Sequence, residues 1–481
     1  MSREEQIINE RIRKLEELRK TGVEPYPSEF DKKQTCEQCL KSKLGVKVCT
    51  AGRLMTKRDI GKIIFSNLKD FSGEIQIVLQ EGESPEKVIE FLKKYVDSGD
   101  FVGVEGNIFK TKTKQTSILI KDLVLLSKSI LPLPEKFHGL QDEEERLRKR
   151  YLDILMNPEV KEIFVKKAKF WNTIRDFLLE KGFMEVETPV LESSAGGAAA
   201  TPFKTHMNAL DINLYLRISM GELWQKKLMV AGYEKTFEIG RQFRNEGIDM
   251  EHLQDYSQME FYWAYANYKR GMELVEELYK KVAKDILGTL KFKSHGYEID
   301  LGKKWENYDY EAVIKKHTGL DIYKAGEKEI KKKLDELKIK YDPKESKWRL
   351  VDILWKYCRK KISGPGFLVN QPVEITPLAK RNSKDKRKVE QFQVIIAGTE
   401  MGNGYSELND PLDQEARFIE QKKMKDAGSH ETHEHDKGFV EALKYGMPPT
   451  CGFGVSERLF AYLIDKPIRE CVIFPLMKPE S

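Results

Sequence analysis

The segment FEIGRQFRNEGIDMEHLQDYSQMEFY, residues 237–262, concentrates the side chains best suited to chemistry. Phe237, Ile239 and Phe243 recur as alternating strand positions, with Arg241 and Arg244 interleaved. A polar loop, NEGIDMEH, follows. A second alternating run, QMEFYWAY, then sets Glu260 and Tyr262 on one face by period two. The pattern predicts an antiparallel hairpin that presents arginine, glutamates, a histidine and tyrosines to one side. Arginine at a strand end suits bidentate capture of phosphate or carboxylate, because its planar fork matches either anion. A surface hairpin with ordinary ion pairs remains open on one arginine alone.

Two further clusters have metal-ligand residue types. Cys36 and Cys39 form a C-x-x-C pair with Cys49 ten residues on, one ligand short of a structural zinc site and without a nearby histidine. An incidental thiol cluster fits as well as a metal knuckle. HETHEHDK, residues 430–437, is not H-E-x-x-H, because its second histidine comes one residue early.

The elements that must position these residues fall into distinct stretches. Residues 3–21 predict an amphipathic helix, with Ile8, Ile12, Leu15 and Leu18 at helical spacing. Arg11, Arg13, Lys14, Arg19 and Lys20 spread over its remaining surface, so it either packs on a neighbour or touches nucleic-acid phosphates. From residue 46 to residue 131 the pattern is all-β: five short Val-, Ile- and Phe-rich runs with one helical run, PEKVIEFLKKYV, after the third. That is the outline of a small OB-type barrel, a common binder of single-stranded nucleic acid, or of a barrel with no ligand. Residues 132–150 read as a connector running into a charged helix, and residues 151–481 alternate helices and strands. The expected organisation is a lead-in helix and linker (1–45), a barrel (46–131), a connector (132–150) and a large α+β domain (151–481). Within the last, EKEIKKKLDELKIKY predicts a solvated helix with Ile330, Leu334 and Leu337 as its apolar stripe.

Composition agrees with this organisation. At roughly 150 residues per domain, a chain of 481 residues divides into two or three. With 40% hydrophobic and 10% aromatic residues, the chain can build sizeable cores, which excludes global disorder. No window approaches the ~18 apolar residues of a membrane span. The charged N-terminus lacks a signal-peptide h-region, and six cysteines are too sparse for a disulfide framework, so a cytoplasmic protein with free thiols, including Cys358, Cys451 and Cys471, is expected. The net charge of +6 is the small difference between 83 basic and 77 acidic residues and permits nucleic-acid binding without requiring it.

FRNEG followed by a histidine and an M-E-x-Y strand resembles motif 2 of the class II aminoacyl-tRNA synthetases, in particular the lysine–tRNA ligases of class IIb. LEKGFMEVETPVL (179–191) resembles motif 1, a helix and then a strand ending at Pro189, which in that family forms the homodimer interface. GFGVSERLFAYL (452–463) resembles motif 3, with Arg458 at its turn, and GTEMGNGYSELNDP (398–411) resembles the lysine-type strand before it. GRLMTKRDIGKIIFSNLKD and LPLPEKFHGLQDEEERLRKRYLD match the family's anticodon-binding domain and its exit. The HIGH and KMSKS signatures of class I synthetases are absent from the sequence.

The resemblance implies that lysine and ATP are joined as lysyl adenylate, with Mg²⁺, before transfer to tRNA(Lys). A carboxylate is already a nucleophile at neutral pH, so the task is to hold two anions together and stabilise added charge. By resemblance, Arg244 bridges the carboxylate and the α-phosphate, His252 lies near the outer phosphates, and Glu246 faces the adenine amino group. Tyr256 and Arg458 sandwich the base, and Arg458 also reaches the γ-phosphate. Glu222 and Glu407 are the implied partners of the lysine ε-ammonium, with Tyr262 as a hydrogen-bonding neighbour. Glu260 and Gly197 are expected at the α-amino end, and Asn403 and Tyr405 complete the pocket. A desolvated ammonium needs such anions in place of its water. Glu400 is the implied Mg²⁺ ligand, whereas Gln393 stands where the family has a second glutamate. Motif 3 is one residue shorter than usual between Gly454 and Arg458. In the barrel, Phe65, Gln76 and Gln115 occupy the anticodon-reading positions.

Three other activities compete. A lysine-activating paralogue that transfers the aminoacyl group to protein would lack the barrel. An aspartate or asparagine ligase would not need paired acids in the amino-acid pocket. A silent RNA-binding relative would not need Arg244, Glu246, His252, Glu400 and Arg458 together.

Overall fold

The structure, a computed structural model, describes residues 2–134, 142–194, 196–198, 200–247, 249, 251–426 and 436–480. Most of HETHEHDK lies outside the described residues. The chain divides into two compact units, Met1–Arg146 and Leu147–Ser481.

The first unit is a closed five-stranded barrel of β1 (Lys47–Asp59), β2 (Ile63–Lys69), β3 (Glu74–Gln80), β4 (Phe101–Lys110) and β5 (Thr116–Ser127), in the order β1-β2-β3-β5-β4. Every second residue points inward: Ile64, Leu68, Ile75, Ile77, Val102, Val104, Ile118 and Ile120 are buried in one cluster. Helix α1 (Arg3–Lys20) starts at a Ser2–Glu5 capping box and buries Leu15 and Leu18. Arg11 does not join the solvated basic face expected of it. It is buried, donating to the carbonyls of Ser98 (2.8 Å), Ser129 (3.1 Å) and Leu131 (2.9 Å), and so ties the helix to the barrel. Lys14 is likewise paired with Asp97, at 2.7 Å. Helix α2 (Cys36–Lys41) places Cys36 and Cys39 in the barrel core, where burial pushes the Cys36 thiol up to about 12. These cysteines pack as small hydrophobes.

The second unit is built on an eight-stranded sheet. Its strands are β6 (Met184–Glu185), β7 (Lys235–Phe243), β8 (Asp255–Ala264), β9 (Glu306–Asp309), β10 (Gly366–Val369), β11 (Gln391–Ile396), β12 (Thr399–Ser406) and β13 (Thr450–Ser456), ordered β9-β10-β11-β12-β13-β8-β7-β6. The pairings are antiparallel except at the two edges, where β6–β7 and β9–β10 run parallel. The motif 1 strand spans two residues and stops well before Pro189. The next strand residues, Leu191–Glu192, pair instead with Ile212–Leu216.

Two long helices, α3 (Pro158–Glu180) and α5 (Tyr268–Leu287), pack against one face of this sheet. Phe170, Phe177, Val275 and Tyr279 meet Phe237, Phe261, Phe392 and Phe453 in the main core. Strand alternation then sends Glu260 and Tyr262 of β8, and Asn403 and Tyr405 of β12, to the opposite face. Glu327–Glu336 is helical and buries Ile330 and Leu334, as the apolar stripe predicts.

Candidate active site

The open face of the sheet lines a cavity of about 820 Å³. Gly197, Glu222, Arg244, Glu246, His252, Tyr256, Glu260, Tyr262, Glu400, Asn403, Tyr405, Glu407 and Arg458 all border it. Residues more than 200 positions apart therefore meet because β8, β12 and β13 are neighbours in the sheet.

One end is acidic and buried. Helix α4 (Glu222–Val230) begins at Gly221, whose φ of +62° lets the chain turn sharply into the helix. Glu222 thus sits in the first helical turn, where the helix dipole favours a negative charge. It accepts a hydrogen bond from the Tyr405 hydroxyl. Glu407 follows β12 and is 2% exposed. Glu260 is held by the amide of Met220 (3.1 Å), Gln258 Nε2 (2.6 Å) and the Tyr262 hydroxyl (3.0 Å). Burial pushes the Glu260 carboxyl up to about 7 and also raises Glu407, against the pull of a neighbouring ammonium. That ammonium is Lys226, 2.7 Å from Glu222 Oε1 and 2.6 Å from Glu407 Oε2.

Glycines make the room. Any Cβ on Gly452 would lie 2.1 Å from Glu407 Oε1, and one on Gly197 would lie 2.4 Å from Ser219 Oγ. Gly197 also has a φ of +86°.

The other end is rich in arginine. Arg244 lies just past β7, anchored by Nε donating to the Ile218 carbonyl at 3.2 Å, with its guanidinium 5.8 Å from the Tyr256 ring. Arg458 opens the helix after β13 and donates to the Glu400 carbonyl at 2.6 Å. Arg241, by contrast, points away from the cavity and pairs with Asp255 at 2.6 Å, so of the hairpin's two arginines only Arg244 faces the site.

Over residues 142–478 the chain matches the family of tRNA synthetases class II (D, K and N), and over residues 48–126 the OB-fold nucleic acid binding domain. The chain belongs to the class II tRNA synthetases. The lysine–tRNA ligase of Thermotoga maritima is 42% identical to it over 484 residues, covering 98% of this chain and 96% of its own. The lysine–tRNA ligase of Thermosipho melanesiensis is 41% identical over 483 residues, with the same coverage. That of Carboxydothermus hydrogenoformans is 41% identical over 485 residues, covering 99% of both chains.

Several residues of this synthetase site escape sequence reasoning. Trp355 and Arg359 come from the helix Lys347–Arg359 and hold Glu400 Oε1, at 2.8 Å and 3.0 Å. Glu251 accepts from the Tyr462 hydroxyl at 3.0 Å and lies 3.8 Å from Arg458. His252 Nδ1 is 2.9 Å from Asp249. Gln393 stands opposite Asn403, beside an irregularity in the β11–β12 register that turns Glu400 toward the cavity. Lys226 alone had a signal, the Glu222-x-x-x-Lys226 spacing that stacks two side chains on one helical face.

In the barrel unit, Phe65 and Gln76 point outward from adjacent strands, between the inward pairs Ile64/Ser66 and Ile75/Ile77. Phe65 is therefore not barrel core. Gln76 Oε1 accepts from Ser117 Oγ at 2.8 Å, and Gln115 lies just before β5, two residues from Ser117. Phe65 and Gln76 thus lie on the outside of two adjacent strands.

Proposed function

We propose that this synthetase activates L-lysine with ATP and attaches it to tRNA(Lys). The observation that supports this best is the pairing, in one cavity, of buried acids at one end (Glu222, Glu407) with arginines at the other (Arg244, Arg458). Lysine bears a cation at its side-chain end and an anion at its reacting end. An aspartate or asparagine side chain would meet two carboxylates, an arrangement that costs binding rather than favouring it. The relatives at 41–42% identity are lysine–tRNA ligases.

In this reading Glu222 and Glu407 take the ε-ammonium, Glu260 and the turn at Gly197 the α-ammonium, and Asn403, Tyr405 and Tyr262 line the stem between. Arg244 draws the carboxylate and the α-phosphate together. The carboxylate oxygen attacks phosphorus, pyrophosphate leaves, and no general base is needed. Arg244 acts most strongly where charge is greatest, in the transition state. Tyr256 and Arg458 stack on the adenine, Glu246 faces its amino group, and His252 steers the outer phosphates.

Mg²⁺ would travel with ATP. Among the described residues no group of three or more His, Cys, Asp or Glu could hold a metal by itself. A cation carried mainly by phosphates and water needs only one or two carboxylates, and Glu400 fits that need. It would neutralise phosphate charge.

The barrel supports transfer to tRNA over transfer to protein, with Phe65, Gln76 and Gln115 reading the anticodon. The exposed apolar side chains Leu179, Met184, Val190 and Leu191 suit a homodimer interface around motif 1. The reading places the enzyme in the cytoplasm with its tRNA; no described helix is long and apolar enough to cross a membrane. The deciding experiment is aminoacylation of total tRNA with each amino acid in turn. Charging with lysine alone supports the proposal, and charging with aspartate or asparagine rejects it.

A further inference from the structure

The amino-acid pocket already holds a lysine of its own. Lys226 is 1% exposed, and its ammonium sits between the two acids proposed to receive the substrate side chain. It lies behind them rather than on the cavity wall. It donates to Glu222 Oε1 at 2.7 Å. It also lies 2.6 Å from Glu407 Oε2, so both acids are paired with one ammonium. Glu407 is therefore charge-compensated through Oε2, while its Oε1 lies against Gly452, which lines the cavity.

The groups around Lys226 leave little else to balance it. Glu222 comes from its own helix and Glu407 from the chain after β12. The rings of Tyr405, Tyr262 and Phe439 stand 5.4, 6.0 and 5.6 Å away. Tyr405 donates to Glu222, and Tyr262 donates to Glu260. With both acids ionised, as a bound ammonium would hold them, two acids and one ammonium sum to one negative charge. With Glu260 against the α-ammonium and Arg244 against the carboxylate, the whole pocket carries one negative charge, and a lysine molecule carries one positive charge.

We propose that Lys226 is a specificity-determining positioning residue, whose fixed ammonium sets the Glu222–Glu407 pair to the charge of a single substrate ammonium. The inference rests on the lysine reading above. Without Lys226, two adjacent buried carboxylates oppose each other's ionisation, and one takes up a proton at neutral pH.

The test is calorimetric binding of L-lysine to the full-length protein and to Lys226→Met, Glu407→Gln and the double variant, from pH 6 to 9. Lys226→Met should weaken lysine binding at least about tenfold at neutral pH, the least expected from unbalancing a buried charge pair. It should also move the pH at which affinity rises upward. Glu407→Gln alone leaves Glu222 neutralised by Lys226, so it should bind lysine worst. Adding Lys226→Met to Glu407→Gln restores one net negative charge and should improve binding over Glu407→Gln alone. A lysine that merely fills space predicts the reverse, that the two losses accumulate, and that result overturns the proposal. If Lys226→Met alone fails to fold, the comparison of Glu407→Gln with the double variant still decides. A double variant that also fails to fold overturns the charge-balance account, because its balance has been restored. A parent protein that binds no lysine overturns the lysine reading itself, independently of how the variants rank.

Discussion

Arg244 is free to act because its anchoring uses only Nε, which donates to the Ile218 carbonyl and leaves the outer guanidinium nitrogens toward the cavity. Arg244→Ala should abolish lysine-dependent ATP–pyrophosphate exchange while leaving the unfolding temperature close to that of the parent. Near-normal exchange in the folded variant would remove the assignment. Glu407→Gln should raise the lysine KM steeply with little change in the KM for ATP, since a charge-assisted contact is about twice as strong as a neutral one. The acids also predict a pH dependence. A carboxyl whose folded-state value is raised, as burial raises Glu260 to about 7, contributes stability that is fully present below its unfolded value and lost as pH rises through the folded one. The unliganded protein therefore loses stability from this group between about pH 4.5 and 7. In the proposed site lysine requires the ionised form, so the rise in unfolding temperature that it produces should grow across the same window. A lysine-induced shift constant from pH 5 to 8 would contradict this assignment.

Among the elements, the hairpin of β7 and β8 was legible because period two is a strong signal where one strand face is core. Met259 and Phe261 fix the buried face, and Glu260 and Tyr262 follow onto the other. Period two does not tell Arg241 from Arg244, and the structure separates them by an exposed ion pair between Arg241 and Asp255. Arg11 was misread because nothing local distinguishes a buried arginine that binds distant carbonyls from a solvated one. Trp355 and Arg359 were invisible for a related reason. Their helix reads as an ordinary amphipathic one, and only the fold brings its end to Glu400. The glycines of β13 illustrate a close approach between elements. Gly452→Ala would put a methyl group against Glu407 Oε1 and the Tyr262 ring, so it should raise the lysine KM at least about tenfold while β13 keeps its pairing. Unchanged lysine affinity in a folded Gly452→Ala protein would show that Glu407 does not need its present position.

At the scale of the whole molecule, the proposed reaction divides between the two units. The residues proposed to form the adenylate belong to the unit Leu147–Ser481, whereas Phe65, Gln76 and Gln115 belong to Met1–Arg146. Phe65 offers an outward ring on β2, and stacking on such a ring is worth ~1–3 kcal/mol per base. Phe65→Ala should therefore lower the efficiency of tRNA charging by about fivefold or more while sparing lysine-dependent pyrophosphate exchange. Its inward neighbours Ile64, Ser66 and Leu68 still fill the barrel, so the domain should keep its stability. Gln76→Ala should act in the same direction through the loss of hydrogen bonds to a base edge, with a smaller effect because Ser117 already occupies one of its acceptor sites. The measurement pairs pyrophosphate exchange with charging of two lysine tRNAs, one carrying its own anticodon and one a substituted anticodon. The parent should prefer the first, and Phe65→Ala should narrow that preference. If the preference survives intact in Phe65→Ala, the outer face of β2 and β3 does not read the anticodon through this ring.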